Sequence, residues 1–397
     1  MHICYFACYD SPYGGSSRTF VFAKEMVSMG HEVTIITSSF NHLMSKESKP
    51  LNKGFYKDES IDGVRVVSVF GFNYKEHDKT LLRLIHMFQY NFLAFFVGVS
   101  KIKKIDIVLG TTVPLFSGLL AFYFSLFKGS RFALEIRDIW PEELIDLGAI
   151  KKNSPFALVL RLIEKFLYKK SPVIISCLPN VLEHIRRAGS DSKVVFIPNP
   201  YDPSFYFKKY DGGKTDHLRI MYLGGSGRAM RLNTLIESFL KLSLPNTTLH
   251  IVGPKQFVDE YFQDRNEGMP ANIKVNGFVE RSKIPSFIDQ ADVLVHPGNS
   301  TDQLKFGLNS NKILEYLSSG RLVVLAAKTS NDAVSLSGAG YLIPPEDPSI
   351  MRSIFEKIYN LVPKERVLMG SKGPEFLHKN HKPNHLAKKL VASFQNL

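Results

Sequence analysis

Short apolar runs rich in β-branched residues recur along the chain, spaced so that a helix fits between them. "HICYFACY", "HEVTIITSS", "GVRVVSVF", "DIVLGTT", "RFALEI", "PVIISCL" and "KVVFIPN" mark the first half. Helical patterns separate most of them. Such runs predict parallel strands in a sheet covered by helices on both faces. The rhythm stops at "IPNPYDPSFYFKKYDGGKTDH", where prolines, glycines, lysines and acids cluster without a period, which reads as a linker. It restarts with "LRIMYLGG", "TTLHIVG", "NIKVNGF", "ADVLVHPG" and "RLVVLAA". The pattern predicts an α/β N-terminal domain over 1–200 and an α/β C-terminal domain over 201–382. A closing helix over 383–397 is expected to pack back on the first domain. Two doubly wound domains leave a cleft, and ligands of such sheets bind beyond the carboxyl ends of the strands.

Two apolar stretches need a separate reading. "IVLGTTVPLFSGLLAFYFSLF" has the length of a membrane span, but Pro114 and "GTT" divide it into a strand, a loop and a buried helix. "LLRLIHMFQYNFLAFFVGVSKIKKI" ends in Lys101, Lys103 and Lys104. It reads either as a core helix or as a helix dipping into an anionic membrane surface. The opening "MHICYFACYD" lacks a basic region and reads as a first strand rather than a signal peptide.

With 397 residues the chain is long enough for two cores, and 44% hydrophobic with 22% charged residues fits a globular protein. The net charge of +13 favours an anionic partner. No Lys/Arg block tracks a nucleic-acid backbone, so nucleic acid is not expected. Cys4, Cys8 and Cys177 form neither a paired framework nor a zinc spacing, and imply buried thiols in a reducing compartment.

Four loops follow strands and carry the candidate chemistry. Gly14 and Gly15 in "DSPYGGSSRTF" either admit an anion at a helix start or make a tight turn. In "EIRDIWPEEL", Arg137 and Asp138 stand at the cleft rim for a phosphate and a hydroxyl, or else Trp140 packs a plain helix start. In "MYLGGSGRAMRLNTL", Gly224, Gly225 and Gly227 precede Arg228 and Arg231, residues able to grip phosphate. In "FGLNSNKILEYLSSG", Asn309, Ser310 and Asn311 lead into Lys312 at a helix start. A cation there opposes the helix dipole unless a diphosphate joins it. Glu315, about one turn in, leans back toward that end and can accept from sugar hydroxyls. No metal-ligand cluster and no nucleophile elbow is present in the pattern.

Taken in order, these loops resemble glycosyltransferase family 4, whose members have the GT-B fold of two facing Rossmann-like domains. "YGGSSRTFVFAKEMVSMGHEVTIIT", "FIPNPYD", "YLGG" with "LNTLIESF", and "IPSFIDQADVLVHP" carry the likeness. "EIRDIWPEELIDLGAI" and "NSNKILEYLSSGR" are similar to a branch of bacterial O-antigen and capsule transferases, such as those assigned to N-acetyl-L-fucosamine. Three positions depart from the family. Gly307 stands where a first glutamate is usual, with seven residues between it and its partner at Glu315. Met230 stands where a lysine is usual, and no histidine follows "DIVLGTT".

The resemblance implies a retaining transferase that moves a sugar from a nucleotide sugar, by analogy UDP-linked, without a metal or other cofactor. It implies Arg137, Asp138, Arg228 and Lys312 at the reacting centre. Gly14, Gly15, Gly224, Arg228, Arg231, Asn309, Ser310, Asn311, Lys312 and Glu315 would hold the donor. The implied acceptor is a lipid-linked saccharide, at the inner face of the cell membrane. A nucleotide-sugar 2-epimerase of the same fold and a degenerate nucleotide-sugar binder are the alternatives.

Overall fold

The structure, a computed structural model, describes all residues except 11, 13–16, 42–45, 48–50, 52–53, 73–79, 206, 228 and 396. The chain divides into two compact units, one of Met1–Pro200 with Pro383–Leu397 and one of Tyr201–Lys382.

The N-terminal unit begins β1 (His2–Phe6), α1 (Arg18–Ser28) and β2 (Glu32–Ser38). A short pair, β3 (Phe40–Asn41) and β4 (Lys46–Glu47), precedes β5 (Tyr56–Ile61) and β6 (Val64–Val69). Then come α2 (Thr80–Lys101), β7 (Ile107–Thr111), α3 (Leu115–Lys128) and β8 (Arg131–Ile136). The unit continues through α4 (Glu142–Asp146), α5 (Pro155–Lys170), β9 (Val173–Ser176), α6 (Leu182–Arg187) and β10 (Lys193–Phe196). Its sheet runs β10-β9-β8-β7-β1-β2-β6-β5, parallel except for β5, which pairs antiparallel with β6. The alternating residues of "YKDESI" are half-buried, which fits an edge strand that the sequence reading did not mark.

The C-terminal unit holds β11 (Leu218–Leu223), α7 (Leu232–Leu240), β12 (Thr247–Gly253), α8 (Lys255–Gln263) and β13 (Ile273–Gly277). It continues with α9 (Ile284–Ile288), β14 (Val293–Pro297), α10 (Asn311–Ser318), β15 (Leu322–Ala326), α11 (Ala333–Ser337) and β16 (Gly340–Ile343). Three helices follow: α12 (Pro348–Tyr359), α13 (Pro363–Gly370) and α14 (Lys372–Asn380). The sheet order β13-β12-β11-β14-β15-β16 is parallel throughout. The last helix, α15 (Pro383–Phe394), packs against α1 of the N-terminal unit and buries Leu386, Leu390 and Phe394 there.

In both units the strand residues point alternately into two cores, the period-2 rule of a doubly covered sheet. Ile3 and Tyr5 face α1 and α15, while Phe6 meets Phe124 of α3 edge-on at 4.9 Å. The segment expected as a linker belongs to the C-terminal unit from Tyr201 onward. Tyr210 donates to Asp292 at 3.2 Å, and the Lys208 amide donates to Asp289 at 3.0 Å.

The helix expected from the "FGLNSNKILEYLSSG" pattern is shorter than its polar opening suggested. Asp302–Phe306 forms a 3-10 turn, Gly307 at φ +120° reverses the chain, and α10 starts only at Asn311. A non-glycine residue is rarely accommodated at that angle, which accounts for the missing glutamate side chain there.

Candidate active site

The C-terminal unit gathers most of the expected donor residues at the carboxyl ends of β11, β12 and β14. Tyr316 positions them. Its hydroxyl accepts from the Leu223 amide at 3.0 Å and donates to the Leu223 carbonyl at 3.1 Å, tying α10 to the end of β11. Lys312 therefore lies beside Gly224. Its ammonium donates to the Tyr222 hydroxyl at 3.3 Å and sits 4.7 Å from the centre of that ring. A Cβ at Gly224 would collide with this ammonium, and Gly224 is at φ +145°. The backbone angle calls for the glycine, and any side chain there would displace the ammonium.

The electrostatics suit an anion. Burial pushes the Lys312 ammonium down to about 8, against the opposing pull of Glu315. His296, 4% exposed at the end of β14, is driven down to about 3 by burial and then by Lys312, so it stays neutral. Ser310 caps α10 without a side-chain bond, and an α-helix leaves its first N–H groups without intrahelical acceptors. Asn309 and Ser310 lead into this end, and Asn311 is its first residue.

Glu315 is one turn further on and 12% exposed at its side chain. Burial raises its carboxyl, and Arg281 offsets this through a 2.9 Å ion pair with Oε1. Arg281 also reaches Asp202 at 3.2 Å and lies over the Phe205 ring at 4.5 Å. Sequence reading missed Arg281, which comes from a 3-10 turn remote from Glu315 in the chain. It also missed Phe278, 76% exposed and set against Gly225 and Gly253 as a flat platform. The signal available was "NGFVERSK" after a predicted strand, a position of the same kind as the loops that were inspected.

The remaining expected residues divide. Arg231 is turned toward Glu346, with Nε at 2.6 Å from its carboxylate, rather than toward Lys312. Arg228, Gly14 and Gly15 lie outside the described residues.

In the N-terminal unit, Arg137 and Asp138 follow β8 as expected, but Arg137 is not an open phosphate grip. Its Nε donates to Glu135 at 2.8 Å, Nη1 to Asp10 at 2.9 Å, and Nη2 to Thr19. Glu135, 1% exposed, also accepts from Arg18 Nε at 2.8 Å. The reason for the correction is the strand period: Glu135 points into the core toward α1, and two guanidinium groups must neutralise it.

Above this network lies a cavity of about 170 Å³ lined by Tyr9, Asp10, Thr111, Val113, Arg137 and Asp138. Burial raises the Asp138 carboxyl against the pull of Arg137. Burial, reinforced by Asp138 and Asp146, pushes neighbouring Glu143 up to about 8. Asp10, at the end of β1, joins this pocket without having been singled out in the sequence.

Two α/β units with largely parallel sheets of this order have the GT-B fold. The Glycosyltransferase Family 4 model matches residues 13–205, and the model for Glycosyl transferases group 1 matches residues 217–362. The chain belongs to glycosyltransferase family 4. It is 21% identical over 293 residues to WbjE of Pseudomonas aeruginosa, named a probable glycosyltransferase, covering 68% of this chain and 71% of WbjE. Sucrose-phosphate synthase from Thermosynechococcus elongatus is similar in fold, with a TM-score of 0.75 at 15% identity over 100% of this chain and 98% of that one. Anabaena HepE in complex with UDP-glucose is similar with a TM-score of 0.69 at 14% identity, over 100% of both chains.

A first test concerns the glycine beside Lys312. Gly224→Ala is expected to weaken nucleoside-diphosphate binding about tenfold or more, because a strained backbone costs about 1–3 kcal/mol and the ammonium must move. Calorimetric titration checks this; unchanged affinity would remove Gly224 from the site.

Proposed function

We propose that the protein transfers a sugar from a UDP-linked donor to a lipid-linked saccharide in the synthesis of a bacterial surface polysaccharide, O-antigen or capsule. The transfer retains anomeric configuration and needs no metal or other cofactor, and the protein works at the inner face of the cell membrane. The observation that carries the donor half is Lys312, half-buried at the start of α10 with a depressed pKa and with Glu315 one turn behind. The HepE complex with UDP-glucose supports the choice of base. The sequence likeness to O-antigen and capsule transferases supports the acceptor class.

In this reading the diphosphate sits between the Gly224 loop and the first turn of α10. As the glycosidic bond breaks, negative charge grows on the leaving phosphate. The Lys312 ammonium and the helix N-terminus stabilise that charge where a metal would otherwise act. Arg281 holds one oxygen of Glu315, and the other accepts from the ribose hydroxyls. Asp10 and Asp138 line the pocket assigned to the acceptor. Departure and attack on the same sugar face give retention without a protein nucleophile.

Glu315→Ala is expected to weaken UDP binding about 10- to 100-fold, the scale of hydrogen bonds to a charged group. Calorimetry with UDP in EDTA checks it, and unchanged affinity rejects the ribose role. Incubation with UDP-sugars alone separates the rival reading, because a 2-epimerase would form product without an acceptor.

A further inference from the structure

We propose that the outer surface of α2, α3 and α5 is a docking face for an anionic glycerophospholipid bilayer, with a lipid phosphate held in a basic pocket at its rim. The proposal deepens the reading of a lipid-linked acceptor and rests on it for its purpose.

The three helices lie side by side on one face of the N-terminal sheet. Phe95 of α2 meets Phe127 of α3 at 5.8 Å, and Phe122 of α3 meets Phe166 of α5 at 5.1 Å. Each should turn a mostly polar face outward if water covered it, yet large apolar side chains stand exposed on all three. On α2, Phe88, Phe92 and Phe96 repeat every four residues and are 57%, 64% and 55% exposed. Leu126 and Phe127 of α3 are exposed, as are Leu158 and Leu162 of α5. Neighbouring exposed side chains of this kind form a continuous patch, which soluble surfaces rarely keep without a partner. By length and composition α2 could cross a membrane. It is instead anchored to the sheet through Tyr90, whose hydroxyl donates to the Ile36 carbonyl at 2.8 Å, so only its outer flank is available.

Charge selects the partner. Across the three helices the only acid is Glu164, which is buried and accepts from Tyr168 and His184. Lys101 on α2, Lys128 on α3, and Lys169 and Lys170 on α5 stand at the carboxyl ends, with Arg83 on α2 and Arg161 and Lys165 on α5 further back. Lysines at helix ends also complement the dipole, but that role does not remove acids from the whole face. Lys128 donates to the Val99 and Ile102 carbonyls at 2.9 and 2.7 Å and so joins the ends of α2 and α3. There a cavity of about 320 Å³ is lined by Lys103, Lys104, Lys128 and Arg131 against one acid, Asp106. Asp106 already accepts from the His2 amide at 2.7 Å. Four cations around one acid suit a phosphate. A second copy of the chain suits the face less well, since two-fold pairing would bring two acid-free, cation-rimmed surfaces together.

The face also reaches the pocket. α2 and α3 run in the same direction, with Phe88, partway along α2, against Phe116 in the first turn of α3 at 5.1 Å. The amino end of α3 follows Val113, which with Thr111 lines the Asp10–Asp138 cavity. A bilayer on this face would present a lipid-linked saccharide beside that cavity.

The experiment is flotation of the full chain with phosphatidylcholine vesicles, with and without phosphatidylglycerol, in the absence of donor and acceptor. Wild type is expected to bind the phosphatidylglycerol vesicles. Lys103→Gln with Lys104→Gln should weaken this about twenty-five-fold, a factor of about five for each cation withdrawn from an anionic surface. Phe92→Gln with Leu126→Gln should weaken it about tenfold or more on both vesicle types, from lost apolar burial. UDP affinity should be unchanged in both pairs, which shows that they fold. Wild type that ignores the vesicles, or variants that bind like wild type, would overturn the proposal. So would a dimer in vesicle-free sedimentation that Phe92→Gln dissolves. UDP binding without vesicle binding would sink the docking face and leave the donor site standing. Vesicle binding without UDP binding would do the reverse.

Discussion

Glu135→Ala is expected to destabilise the protein by about 3–5 kcal/mol, the cost of removing one partner from a buried charge cluster. The side chains of Glu135 and Arg18 are 1% and 3% exposed, so the Arg18 guanidinium cannot turn to water without opening the core beneath α1. Replacing the whole cluster with apolar residues would cost far less; the penalty is for stranding Arg18, since Arg137 keeps Asp10. Burial alone would raise the Glu135 carboxyl, but Arg137 and Arg18 outweigh it and bring it down to about 2, from an ordinary 4.5. A depressed carboxylate contributes stability that is complete above its unfolded value and fades as pH falls toward its folded one. The difference between wild type and Glu135→Ala in urea unfolding should therefore be constant near neutrality and shrink between about pH 4.5 and pH 2. A difference under about 1 kcal/mol at neutral pH would show that the cluster is not what holds β8 to α1.

Lys312→Met is expected to weaken UDP binding about 10- to 100-fold, and to reduce turnover by a larger factor, about 10²–10³. The second effect exceeds the first because charge on the leaving phosphate grows as the bond breaks. The pH dependence is specific to this lysine. Only its protonated form grips a diphosphate, and in the free protein burial brings its pKa to about 8. The groups that face it do not titrate in the same direction: His296 is held neutral, Glu315 is ion-paired to Arg281, and burial raises the Tyr222 phenol. The terminal phosphate of UDP has already ionised, with a pKa of about 6. UDP affinity should be flat between about pH 7, where the phosphate is ionised, and pH 8, and fall up to about tenfold per unit above that, as the free protein loses the proton that binding requires. In Lys312→Met that slope should vanish. A wild-type affinity independent of pH to 9.5 or so would mean that the ammonium does not meet the phosphate.

The fold was legible because parallel strands buried on both faces cannot hide their composition. "DIVLGTT" and "ADVLVHPG" read as strands from residue type alone. The edge strand β5 did not, since "YKDESI" is half-solvated and polar. The donor end of the C-terminal unit was also readable, because Lys312 at a helix start is electrostatically odd on local grounds. What the sequence concealed were partners remote in the chain. Arg281 meets Glu315 only through the fold, and Arg231 finds Glu346 at a sequence separation of 115. Arg137 looked like a rim cation because it directly follows a strand. Its actual partners are Asp10, in the loop after β1, and Glu135 on β8, and these two strands flank β7. The apolar flank of α2 was visible as composition, but only the neighbouring exposed residues on α3 and α5 make it a surface.

The central claim is that a nucleoside diphosphate is held at the start of α10 by Lys312. The most direct measurement is calorimetric titration of UDP into the protein in EDTA buffer at neutral pH, with Lys312→Met in parallel. The expected result is one saturable site without added metal, weakened about 10- to 100-fold in the variant. Equal affinity in both proteins, or binding that appears only when a divalent cation is restored, would contradict it.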